Sequence, residues 1–428
     1  MKKLSNSVIM GFTLLLIGAY AGSDTHTNFA AVGRNGAAYF STDGGRSWKT
    51  STSGTKKYIN AVVSDYEGNF IAVGAKGTII ASKNDGASYR KIKSPTEEQL
   101  IDLVHNNLGR YVAVGAEGTI INSSDGGRTW TLNGSKFDTN YFDIATNRMG
   151  VWIAVGSRGF MARSTDDGLT WSDISGRQAS KHLNAIEYYQ GIFVVTGLNG
   201  TVLYSEDDGN AWQVVKVGTR LHFEGMGMSE KGEIWSVGWN GIIYTSNDSG
   251  KAWQLVKTDN KQRLKEIASD HTGNMVAVGF KGTILHSSDS GKTWTEAKRP
   301  KIQRHLHGVA FNRKPDLAVS QVSLNKNCQV VISIRNFGPG NIPDTAWSDG
   351  PVELEIMSEK NEILESVNFT VLDPERNLKY PGGGAKYTTD IKLEDEQKVR
   401  ILVDSKNRVK EMYHGNNSVE KELECEEK

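Results

Sequence analysis

Two groupings of side chains in this sequence have the types and spacing for chemistry. Stepping backwards from His307 in increments of 41 residues meets Glu266, Gly225, Asn184, Asp143, Asp102 and Ala61. If each step lands on the same place in the next copy of a repeated unit, Asp102, Asp143, Asn184, Glu266 and His307 line one wall, polar and mildly acidic. Such a wall can hold water or a ligand. Two of its carboxylates, suitably separated, could also serve as the acid and base of glycoside hydrolysis. The second grouping is His305 and His307, since residues two apart on a strand point to one face and a ring pair is a metal-ligand arrangement. The reading adopted for His307 is a polar residue of that wall, facing a central channel, and neither a metal nor another cofactor is expected.

The increment of 41 comes from a box, Ser-x-Asp-x-Gly-x-x-Trp, beginning at Ser41, Ser82, Ser123, Ser164, Ser205, Ser246 and Ser287. Its carboxylates are Asp43, Asp125, Asp166, Asp207, Asp248 and Asp289. The second copy alone is degenerate, with Asn84 for Asp and Tyr89 for Trp. Eight residues before each box a Gly-x-x-Gly turn begins, at Gly33, Gly74, Gly115, Gly156, Gly197, Gly238 and Gly279. Repeats of this length built from several short strands predict an all-β chain whose main unit is a seven-bladed β-propeller.

One repeat shows why. Leu183 to Gly191, Phe193 to Thr196, Thr201 to Tyr204 and Trp212 to Lys216 are four runs rich in β-branched and aromatic residues, separated by turn chemistry. Gly197-Leu-Asn-Gly200 supplies the positive φ of a tight turn between the second and third strands. In the box, Asp207 accepts from the amides of its own turn and Gly209 takes a conformation that a side chain would oppose. These carboxylates are therefore read as structural. A calcium loop is a poor competitor because the Asp-x-Asp-x-Asp-Gly spacing and a closing Glu are missing.

The box and the texture around it, as in Ala113-Val-Gly-Ala-Glu-Gly-Thr-Ile120 and Ala277-Val-Gly-Phe-Lys-Gly-Thr-Ile284, resemble the Asp-box (BNR-type) repeats of sialidases, sortilin-type receptors and the photosystem II stability/assembly factor. The last of these is the most similar, over about residues 29 to 311. That resemblance implies a non-enzymatic binding scaffold. The sialidase likeness implies a carbohydrate-binding or glycoside-hydrolysing alternative, but the Arg-Ile-Pro segment of sialidases does not occur in the sequence.

Phe29-Ala-Ala-Val reads as a second strand with no apolar first strand before it, whereas His305-Leu-His-Gly-Val-Ala-Phe311 matches the first-strand segments. The expectation is a propeller over residues 22–311 closed by strand 305–311, which leaves no open blade edge. Pro95 is the one proline between residues 22 and 299, and prolines resume at Pro300 and Pro315. Beyond Pro315 the period ends. Asp316 to Ser323, Gln329 to Arg335, Val352 to Ile356 and Val399 to Val403 alternate apolar and polar residues, as strands of an antiparallel sandwich do. Pro315-Asp-Leu, Asn336-Phe-Gly, Val403-Asp-Ser-Lys-Asn-Arg-Val, Glu411 and Asn416-Asn417 resemble the CARDB type of immunoglobulin-like domain, which implies such a β-sandwich over 315–428.

Lys2 and Lys3, an apolar run from Val8 to Ile17 and Ala19-Tyr-Ala21 read as a secretory signal peptide over 1–21. The expected compartment is periplasmic or extracellular, with no stable membrane insertion. In such an oxidising place Cys328 and Cys425, the two cysteines of the chain, pair. A net charge of +1 gives no case for nucleic acid.

Function is sought where the repeats differ in a patterned way. The first variable position of the Gly-x-x-Gly turn reads Arg34, Ala75, Ala116, Ser157, Leu198, Trp239 and Phe280. Leu198, Trp239 and Phe280 thus form an apolar run on adjacent blades, with Arg34 next in the ring, and contiguous exposed apolar groups mark an interface or packing against the terminal domain. The reading is a secreted binding or assembly scaffold whose partner is a protein or a cell-surface glycan.

Overall fold

The computed structural model describes residues 27–425 except 66–67, 107–108, 134–136, 177–178, 190, 230–231, 271–272, 302, 313, 338–339, 349–351, 381–382, 394–396, 410 and 412–415. The expected signal peptide at 1–21 lies outside the described residues.

Seven four-stranded antiparallel sheets follow one another. In each, a short inner strand such as Leu100–His105 pairs with a second strand, here Tyr111–Gly115, then a third, Ile120–Ser123, and an outer one, Thr131–Asn133. The inner strands contact their neighbours in an unbroken circle, so the sheets are blades of a closed propeller. Burial explains the residue choice. Second strands such as Tyr111–Gly115 and Met275–Gly279 are buried throughout, because a neighbouring blade covers each face, and they read as continuous apolar runs. Outer strands face solvent.

Blade one is built from both ends of the repeat array. Leu306–Asn312 pairs with Asn28–Gly33 in the register Phe29 with Phe311 and Val32 with Gly308, and forms the inner strand of that sheet. With the amides of Asn28–Gly33 paired on both sides, the ring presents no open edge there.

The Gly-x-x-Gly turn works differently from expectation at its first residue. Gly197 is extended, with φ −169°, and a Cβ there would lie 2.2 Å from the carbonyl oxygen of His182. It is glycine for close approach. The left-handed positions are Asn199 at φ 58° and Gly200 at φ 70°. The same carbonyl accepts from Leu198 N, stapling the turn to the start of its blade's inner strand, and the other six blades repeat the bond.

Each box is a hydrogen-bonded hairpin. In the third, Ser123 Oγ donates to Asp125 Oδ1 at 2.8 Å and accepts from Gly127 N at 2.9 Å. Asp125 also accepts from Thr129 N at 2.9 Å, and Trp130 Nε1 donates to the Gly127 carbonyl at 3.0 Å. Desolvation opposes ionisation of Asp125, but the donors from Thr129 and Ser123 outweigh it and hold the carboxyl at about 2. A Cβ on Gly209 would strike Ile153 of the preceding blade at 2.4 Å, so the box also seals blades together.

Beyond the ring, a three-stranded sheet (Leu317–Leu324, Gln329–Asn336, Gly384–Lys392) and a four-stranded one (in spatial order Ile363–Asn368, Glu353–Ser358, Gln397–Val403, Ser418–Leu423) share one core. Ile332, Leu354, Phe369 and Ile401 fill it. Cys328 and Cys425 form a disulfide that fastens the end of the chain to the turn after Leu324. Glu411 accepts from Leu317 N at 2.6 Å and from Asn417 Nδ2 at 2.9 Å, while Asn416 Nδ2 donates to Asp316 at 3.0 Å. One polar knot thus ties the first strand to the last loop. Lys314 reaches Asp85 of the degenerate box at 3.2 Å, which places this unit on the Asp-box side of blade two.

Candidate functional site

Two places bring polar side chains together: the central channel and the Gly-x-x-Gly face. The channel encloses about 500 Å³, walled by the seven inner strands, with Asn341 of the terminal unit at its lining. Asp102, Asp143 and Glu266 are in that wall. They occupy the position paired with the last valine of the second strand, at Val114, Val155 and Val278. The same position holds Ala61, Ala185, Gly225 and Gly308 in the other blades. Small residues there leave the room that the carboxylates enter.

Asn184 and His307 do not belong to this ring. Each inner strand carries an irregularity one residue before the channel position, and Asn184 and His307 occupy it, since Leu183 lies 42 residues after Tyr141 and Leu306 lies 42 after Leu264. Asn184 Nδ2 donates instead to the Phe223 carbonyl at 2.7 Å. His307 stands edge-on to Tyr58, with ring centroids 6.5 Å apart. Burial, with Lys265 and Arg34 near, pushes His307 down to about 4. Glu187, one layer further along the channel, is a lining carboxylate that the fixed step passes over.

Desolvation dominates this cavity. It raises Glu187 to about 8, helped by the charge of Asp143 and opposed by Arg148. It raises Glu266 well above the ordinary range, and Asp102 likewise, where the Asp143 charge and a hydrogen bond to Asp143 add to it. Burial raises Asp143 as well, although the amides of Ile144 at 2.8 Å and Ile186 at 2.7 Å favour its charged form and offset part of that. Asp102 and Asp143 are bonded to one another, in contrast to the separated acid and base of glycoside hydrolysis.

The Gly-x-x-Gly face is cationic and aromatic. Trp239 is 41% exposed and its Nε1 donates to Glu224 Oε1 at 2.5 Å. Arg263 lies between two rings, 4.8 Å from the centroid of Trp239 and 4.9 Å from that of Phe280. Phe280 in turn stacks on His305 at 4.1 Å, with an interplanar angle of 11°. Glu224, its side chain 4% exposed, also pairs with Arg263 and with Lys265, the latter at 2.6 Å. Burial works against its charge, but Lys265 and Arg263 hold the carboxyl below its ordinary value. The acid is thereby saturated, and Arg263 lies against the exposed ring of Trp239 and the half-buried ring of Phe280. Arg34 sits over Tyr58 at 5.1 Å, further round the rim, and Leu198 is half-buried.

His305 is committed locally. Its Nδ1 accepts from Lys281 N at 3.0 Å, as His182 does from Arg158 N and His222 from Asn199 N, so these histidines clamp the turn of the preceding blade. Arg263 and Glu224 carry this face, and no repeat position in the sequence singles them out.

Residues 135–333 match the family described as Photosynthesis system II assembly factor YCF48. The match begins before blade four and runs past the closing strand. No curated protein shows a sequence match to this chain. Among solved structures, YCF48 bound to D1 peptide is 16% identical, with TM-score 0.48 over 64% of this chain and 87% of its own. YCF48 from Cyanidioschyzon merolae is 13% identical, with TM-score 0.46 over 65% and 93%. The GH74 xyloglucanase from Xanthomonas campestris is 12% identical, with TM-score 0.50 over 73% of this chain and 56% of its own, a likeness of fold alone. Among the described residues no helix is long and apolar enough to cross a membrane.

Proposed function

We propose that the chain is a secreted, non-enzymatic scaffold that captures a protein partner on the Gly-x-x-Gly face of the propeller. The observation that carries this reading is the ladder His222, Trp239, Arg263, Phe280 and His305, in which a guanidinium is held between two aromatic rings by a buried carboxylate. A rigid Trp beside a pre-oriented Arg is the composition that dominates protein interfaces. Glu224 is already neutralised by Lys265 and Arg263, so Arg34, Lys281 and Arg304 leave the face attractive to carboxylate-bearing segments. Leu198 extends its apolar side. The family match over 135–333 supports an assembly type of role.

Secretion rests on the leader at 1–21 and is consistent with the disulfide. An immunoglobulin-like terminal domain is supported by a three-stranded and a four-stranded sheet around one core. The test is capture from periplasmic extract by the immobilised mature chain. Wild type should retain a discrete partner that Trp239→Ala and Arg263→Ala both release; retention by both variants would refute the face.

A further inference from the structure

The two sides of the terminal unit are finished differently. On one side the disulfide and the knot of Asp316, Glu411, Asn416 and Asn417 fasten the strands, and the edge strand Ser418–Leu423 bears exposed Glu420, Lys421 and Glu422. Charges of this kind blunt an edge against further pairing. On the other side both sheets end, one on Ile363–Asn368 and the other on Gly384–Lys392. Ile363–Asn368 contains no Lys, Arg or Pro, and Ile363 and Leu364 are 57% and 45% exposed.

Between these two edges runs a groove of about 640 Å³. Leu364, Val371 and Ile391 supply its apolar wall, and Tyr387, Glu365 and Asp390 its polar one. Val371 is 63% exposed. The edges are joined across the groove by Glu365, which accepts from Tyr387 Oη at 2.6 Å and from Asp390 N at 3.0 Å. The lining thus contains two carboxylates and no Lys or Arg, and Lys386 and Lys392 of the neighbouring strand are not part of it.

We infer that the Ile363–Asn368 edge is a β-augmentation site, which takes up an extended segment of a partner polypeptide alternating apolar and basic residues. Backbone pairing to the open edge supplies affinity that does not depend on sequence. The period of two sends alternate side chains to opposite faces, so apolar ones enter between Leu364 and Val371 while basic ones meet Glu365 and Asp390. This site is independent of the propeller face.

The test uses the full mature chain with its disulfide intact and a synthetic blocked peptide alternating valine and lysine, followed by titration calorimetry. A peptide with glutamate for lysine and one with a central proline serve as controls. Saturable binding of the lysine peptide is expected, at least tenfold weaker for both controls and for Leu364→Lys, whose melting temperature should equal that of wild type. Absence of saturable binding, equal binding of lysine and glutamate peptides, or an unaffected Leu364→Lys variant would overturn the proposal. So would a dimeric chain that Leu364→Lys makes monomeric, since the occupant would then be a second copy.

Discussion

Asp102 and Asp143, on adjacent inner strands, accept from the same amide, that of Ile144, at 3.3 Å and 2.8 Å, and burial raises both carboxyls. Two acids from adjacent blades are thus reconciled by protonation in a cavity that also holds Glu187 and Glu266. The arrangement makes the stability of the ring depend on pH. For a carboxyl raised by folding, the native state binds the proton more tightly than the unfolded chain. Its contribution is fully present below the ordinary carboxylate value and is lost as the pH rises through the folded one. For Glu187 that window runs from 4.5 to about 8. His105 and His307, both lowered to about 4, add stability as the pH rises to 6.5, so the fall due to Glu187 should show in the denaturant midpoint between about pH 7 and about pH 8. Glu187→Gln should flatten the fall and exceed wild type at the alkaline end. A midpoint that rises between pH 7 and pH 8 would contradict the assignment.

The degenerate box offers a second test. Tyr89 is buried at 8% exposure, and its hydroxyl has no hydrogen-bond partner, whereas Trp130 in the same place donates to Gly127. A buried hydroxyl without a partner costs about 1 to 3 kcal/mol. Tyr89→Phe should stabilise the propeller by about 1 kcal/mol, read from chemical denaturation. Trp171→Ala should instead lose about 3 kcal/mol, towards the lower end for truncating a large aromatic because Trp171 is only half-buried.

Trp239→Ala separates binding from folding. The substitution removes one donor to Glu224 but leaves its pairs with Arg263 and Lys265 in place. Partner capture should weaken by more than about 2 kcal/mol, the loss expected of an interface anchor. The melting temperature should shift little. A large melting shift with unaltered capture would move the binding site away from this face.

Ring closure can be tested by truncation. A mature chain ending at Lys314 keeps Leu306–Asn312 against Asn28–Gly33, while one ending at Lys301 leaves that inner edge unpaired. The longer fragment should resist protease, and the shorter should aggregate or digest rapidly, because an unpaired strand edge recruits other chains. Equal resistance would show that the pairing contributes little to the integrity of the ring.

The blades were legible because box and turn are local devices. Ser123, Asp125, Gly127 and Trp130 satisfy one another within eight residues, so their spacing is preserved from copy to copy. The channel was legible only in part. Asp102, Asp143 and Glu266 follow the period, but the connections between an outer strand and the next inner strand vary by a residue, which displaces Asn184 and His307 from the ring and brings in Glu187. The same variability hid Arg263, whose place between Trp239 and Phe280 depends on the rotation of one blade against the next.

By itself the sequence determined the all-β class, the number of blades and the residues that close each hairpin, since short-range hydrogen bonding and apolar alternation repeat wherever their residues do. Only the tertiary structure decided which side chains meet across blades: Asp102 with Asp143, Glu224 with Arg263 and Lys265, Phe280 with His305. Those contacts join residues about 40 positions apart, or the last inner strand to the blade before it. Their partners are set by strand register and blade packing, and a change of one residue in a connecting loop replaces one neighbour with another.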